Sequence, residues 1–199
     1  MKFSSLIACS IVTIGTLSVS AQMNTAVPAG PAPGSIATPA AAFDAQLKVI
    51  EWEMMGAVKA MPAEKYDFAP SAAIFVPAQK TEFATVRTFG QQATHVAEAN
   101  YFFAQIFSGL KPDTDVQGIE KLTKKDDIVA ALGGSFAFAH KAMATLTPAN
   151  AFEVIKSPEP GFQTRGTLAS FCVSHAFDHY GQMVEYLRMN AIVPPASAK

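Results

Sequence analysis

From residue 43 onward, large apolar residues recur every three or four positions with polar residues between them. Over 43–61, Leu47, Ile50, Met54, Val58 and Met61 form one stripe, and Trp52 and Met55 widen it. That period predicts an amphipathic helix. Met61-Pro62 ends it, and 63–77, with Pro70, Pro77 and no helical period, reads as a long connection. A second helix is predicted over 81–108. Thr81 supplies a hydroxyl at its start, although Ala84 three residues on gives no capping box, and Gly109 marks the stop. A third, over 124–146, carries Ile128, Leu132, Phe136, His140 and Met143 along one side. Gly133-Gly134 interrupts it, a pair that costs helix stability but lets a neighbouring helix come close. A fourth runs over 166–190 and stops before Pro194-Pro195. No segment alternates with period two between hairpin turns. The expected fold is all-α, most simply a four-helix bundle.

The N-terminus follows a different pattern. Lys2 gives a positive start, residues 6–19 are mostly apolar, and Val19-Ser20-Ala21 offers small residues before Gln22. This is the layout of a secretory signal peptide over 1–21, too short and too rich in Ser and Thr for a membrane span. A rival places lipoprotein cleavage before Cys9, after Leu6-Ile7-Ala8, but the apolar run there is only a few residues long. Residues 22–41, rich in Ala, Pro, Gly, Ser and Thr and free of charge, read as a linker. The bundle is expected over 42–199. The protein is therefore expected to be exported, to the periplasm or the outside of the cell, with no membrane association after cleavage.

Composition narrows the functional classes. The chain has 199 residues and a formal net charge of −1, with no basic cluster of the kind nucleic-acid binding requires. Cleavage after Ala21 would remove Cys9 and leave Cys172 alone, so no internal disulfide is expected. Half of the residues are hydrophobic, which is enough for a core without one.

Two of the four histidines, His175 and His179, are four residues apart in the fourth helix. Side chains so spaced stack on one face, where two imidazoles can close on one metal ion. They share a stripe with Leu168, Cys172, Gln182 and Tyr186. His95 lies on the second helix, four residues after Gln91 and three before Glu98. Facing helices in a bundle lie about 8–10 Å apart, so imidazoles from both can reach an ion about 2.0–2.1 Å from each nitrogen. Three neutral nitrogen donors suit zinc, nickel, cobalt or ferrous iron, and they leave a position for water or substrate. A chance i, i+4 pair and a hydrogen-bonded core histidine are the plainer explanations.

His140 reads better as a satisfied core histidine than as a ligand. Cys172 is either a fourth ligand or a small buried apolar residue. His175-Ala-Phe-Asp178-His179 is close to the inverted zinc-protease signature, but it has Asp in place of Glu and no separate acidic ligand can be picked out. Gln91, Glu98, Asp178 and Gln182 are candidates for orienting the ligating histidines or a substrate. The plain alternative is that each is a polar residue at the edge of a helix face.

Asp178-His179-Tyr180-Gly181-Gln182, Tyr186-Leu187-Arg188 and Pro194-Pro195 resemble the C-terminal signature of the DinB-like (damage-inducible, YfiT-like) superfamily. Met61-Pro62-Ala63-Glu64-Lys65-Tyr66 and Arg87-Thr88-Phe89-Gly90, followed by His95, resemble its earlier motifs. The resemblance implies a four-helix bundle, often a homodimer, with a divalent metal held by His95, His175 and His179. Zinc or nickel is the first expectation and iron the next. Asn190-Ala191 departs from the pattern, because members often have a glycine near this helix end. Some relatives are transferases or isomerases that work with low-molecular-weight thiols, and export would separate this chain from those cytosolic compounds. The expectation is an exported metal-dependent hydrolase or transferase acting on a small molecule. The alternative is a non-catalytic metal- or ligand-binding bundle.

Overall fold

The computed structural model describes residues 32–71 and 86–198. The predicted signal peptide, the Cys9 alternative, most of the linker and the Thr81 start lie outside them. Four α-helices dominate: α1 Pro39–Ala60, α2 Phe89–Ser108, α3 Lys125–Met143 and α4 Arg165–Met189. Short 3₁₀ turns lie at Ala63–Lys65, Val116–Lys121 and Pro195–Ser197. Among the described residues the only β pairing is an isolated bridge between Val154 and Thr164. No described helix is long and apolar enough to cross a membrane.

Local chemistry sets the helix ends. α1 starts four residues before the predicted position, with Pro39 in its first turn and the Thr38 hydroxyl accepting the Ala41 N–H at 3.2 Å. α2 starts at Phe89, well after residue 81. Thr88 and Gln91 form a reciprocal capping box that residues 81–84 could not supply. Its far end closes on Gly109 at φ 79°, a left-handed conformation that suits glycine. Lys125 reaches back to the α1 terminus, donating to the carbonyls of Lys59 and Met61. Arg165 does the same for α2 through the Phe107 carbonyl. α4 opens on a Thr164–Thr167 capping box. Just beyond its end Ala191 takes φ 59°, so the residue that departs from the superfamily pattern sits in a glycine-like conformation.

α1 and α2 each pack against both α3 and α4, so α1 lies diagonally opposite α2 and α3 opposite α4. The connections that join these diagonal pairs, 61–88 and 144–164, are long. The core is apolar and fully enclosed around Leu47, Met54, Phe89, Phe107, Phe136 and Met183. Gly134 lets α2 come close, since a Cβ there would stand 3.2 Å from the Tyr101 hydroxyl. A polar chain crosses the core. The Cys172 thiol donates to Asn100 Oδ1 at 3.6 Å, Asn100 Nδ2 to Ser135 Oγ at 3.1 Å, and Ser135 to the Leu132 carbonyl. These bonds tie α4, α2 and α3 together at the level just below His175.

Candidate metal centre

The packing of α2 on α4 brings His95, His175 and His179 together. One ring nitrogen from each lies within 4.8 Å of the others. Nε2 of His175 and Nε2 of His179 are 3.2 Å apart, and the His95 ring stands 4.7 Å from that of His179 and 5.1 Å from that of His175, centre to centre. Nitrogens that share a tetrahedral ion at about 2.0–2.1 Å are about 3.3–3.4 Å apart, so the α4 pair is already at ligation spacing. This is the only such group of His, Cys, Asp or Glu among the described residues.

The electrostatics keep these rings neutral. Burial lowers the pKa of each to about 4. The neighbouring histidines and the Arg87 guanidinium push the same way, while Asp178 opposes them at His175 and His179. All three therefore carry free lone pairs at neutral pH, the form that binds borderline metal ions. Nδ1 of His175 is buried without a hydrogen-bond partner among the described residues.

Outer contacts orient His179. Its Nδ1 donates to Gln92 Oε1 at 2.6 Å, which leaves Nε2 as the bare donor facing His175. Gln92 Nε2 donates in turn to Gln182 Oε1 at 2.9 Å, and Gln182 Nε2 to Asp178 Oδ2 at 3.0 Å. Gln92, Gln182 and Asp178 thus form one hydrogen-bond chain that starts at His179. Gln91, its neighbour on α2, instead caps its own helix through the Thr88 N–H. Sequence reasoning missed Gln92. The available signal was its position three residues before His95, on the face that α2 turns toward α4.

Cys172 and His140 stand apart from the group. The Cys172 thiol is fully buried, bonded to Asn100, and pushed up to about 12 by burial. His140 lies between two α1 carboxylates, with Nδ1 2.5 Å from Asp44 and Nε2 2.9 Å from Glu51. It holds α3 to α1, in keeping with the structural role expected of it.

Two cavities meet at His95 and Glu98. The more polar, about 600 Å³, is lined also by Arg87, Gln91, Thr94 and Glu120. The more apolar, about 450 Å³, takes in His175 and three phenylalanines. Burial, and then the charge of Glu120, raise the Glu98 carboxyl above its ordinary range.

A family model described as the DinB superfamily matches residues 46–183, from within α1 to four residues past His179. The chain belongs to the DinB superfamily. The matched span holds all three histidines together with Gln92, Asp178 and Gln182. The all-α bundle and the clustered histidines of this DinB chain agree with what its motifs implied. No curated protein matches the chain.

Proposed function

We propose that this DinB-superfamily protein holds a divalent metal ion on His95, His175 and His179 and is an exported hydrolase or transferase acting on a small molecule. The observation that carries the reading is the convergence of three neutral imidazole donors on one point between α2 and α4. A bound ion would act as a Lewis acid, polarising a substrate oxygen or acidifying a water. Three protein donors leave room for a substrate group, and two cavities reach His95 from outside. The Cys172 thiol is committed to Asn100, which speaks for an open set of donors and so for turnover over a purely binding role. Gln92 holds the His179 ring in one tautomer. Arg87 and Glu98 line the approach, where they can meet the polar groups of a substrate. All-nitrogen donors favour zinc or nickel, with iron next. Export rests on the leader at 1–21, and a homodimer on the superfamily resemblance.

The function is tested with ester, amide, phosphate and thiol-transfer substrates offered to the purified chain before chelation, after it, and after metal is restored. Turnover that disappears with chelation, returns with metal and is absent from His175→Ala supports the reading. A chain that keeps its metal and turns over none of these substrates favours the binding-module alternative. Export predicts a mature N-terminus at Gln22 outside the cytoplasm, and an uncleaved chain in the cytosolic fraction contradicts it.

A further inference from the structure

The 450 Å³ cavity has a composition that selects a ligand. Its lining includes Phe102 and Phe103 on α2 and Phe171 on α4, together with His95 and His175. Phe103 stands edge-on to Phe171 at 5.1 Å and to His175 at 5.6 Å. Phe102 remains 43% exposed at the mouth. The acidic residues of the lining are Glu98 and Glu159, and neither Lys nor Arg is among them. The neighbouring polar cavity differs, because it contains Arg87.

Phenylalanine faces attract cations within about 6 Å, and aromatic walls are a recurrent way of holding ammonium groups. Carboxylates beside such walls add charge attraction. A neutral apolar guest would strip water from them without pairing them, and an anion beside Glu98 and Glu159, away from the positive charge of an ion on His95 and His175, would be repelled. The volume lies in the range of about 300–1,000 Å³ typical of small-molecule sites.

We propose that this cavity receives the apolar, cationic end of the substrate, a protonated or quaternary amine on a small aromatic or branched-alkyl body. This assignment rests on the metal-centre reading, because His95 and His175 line the same cavity and the other end of the same molecule would reach the metal.

The test is an NMR titration of the metal-containing chain with three probes of similar shape that are weak metal ligands. They are benzyltrimethylammonium, its neutral carbon isostere neopentylbenzene, and benzenesulfonate. The ammonium should bind about tenfold more tightly than the neutral probe, with the sulfonate weakest. Glu98→Gln and, independently, Glu159→Gln should each cut that preference about threefold, and Phe102→Ala should weaken the ammonium severalfold. Glu159 precedes α4 in a connection, so its variant tests the charge term even if Glu98→Gln disturbs α2. Equal binding of ammonium and isostere, tightest binding of the sulfonate, or no binding of any probe at 10 mM (about the weakest useful affinity) overturns the assignment. Metal content is measured in the same samples. A metal-loaded chain without charge preference defeats the cavity assignment alone. A chain without metal that still prefers the ammonium upholds the cavity's selectivity and defeats the metal-centre reading.

Discussion

Replacing Gln92 with leucine should weaken metal binding without removing a ligand. Gln92 Oε1 accepts from His179 Nδ1, and its amide donates to Gln182. Leucine fills similar volume but leaves the His179 N–H buried and unpaired, free to turn the ring or change tautomer. Loss of such an outer partner typically costs about 10–100-fold in metal affinity, or about 1.4–2.7 kcal/mol. The same change leaves buried polar groups unpaired, which costs about 1–3 kcal/mol of stability even without metal. The two effects separate experimentally. Competition with a chromophoric chelator reads affinity, and melts with and without metal read stability. With metal at about 100 times the dissociation constant, the wild type should gain about 2.7 kcal/mol, and Gln92→Leu should lose half or more of that gain. Gln92→Glu keeps an acceptor for His179 and should bind at least as tightly as wild type. Unchanged metal affinity in Gln92→Leu would refute the orienting role given to this residue.

Other predictions follow from features away from the centre. His140 has a raised pKa, chiefly through its bond to Glu51 and also through Asp44. Its stabilising effect should therefore be full below about pH 6.5 and fade as the pH rises through the raised value. Melting temperatures of wild type and His140→Gln should converge toward alkaline pH, and a gap that widens there contradicts the ion-pair account. Ala191→Gly relieves a left-handed backbone strain of about 1–2 kcal/mol, less the entropy that glycine gains in the unfolded chain. The melting temperature should rise by about 1–4 °C, and a fall would count against the conformation. In the chain from Gln22 onward, Cys172→Ala should leave metal content unchanged, whereas a clear loss of metal would make the thiol a ligand.

The parts of this account that were legible in the sequence are those written along a single helix. The three- and four-residue recurrence of Leu47, Ile50, Met54 and Val58 marked α1, and the His175–His179 spacing showed two donors on one face without reference to any other segment. Which residues meet across helices was harder to read. His95 entered as a third donor from its place on a second predicted helix, and the superfamily motif then added to that reading, because spacing alone cannot say that α2 faces α4 at that level. Gln91 and Gln92 differ by one position, or about 100° around the helix. Gln91 caps its own helix, while Gln92 holds His179. The expected start of α2 at Thr81 missed the capping box seven residues on, where the glutamine three residues after Thr88 fixes the helix end. Asp44 and Glu51 lie on α1 and their partner His140 on α3, so only the packing of those helices reveals the bridge.

The most direct test of the central claim is metal content, measured by elemental analysis on the untagged chain from Gln22 to Lys199. His95→Ala, His175→Ala and the double variant His175→Ala/His179→Ala are measured beside it, with circular dichroism to confirm that each is folded. The account predicts about one divalent ion per wild-type chain, consistent with a single three-donor site, and a large loss in every folded variant. Equal metal in wild type and the double variant, or none in wild type after dialysis against zinc, nickel and ferrous iron in turn, would contradict it.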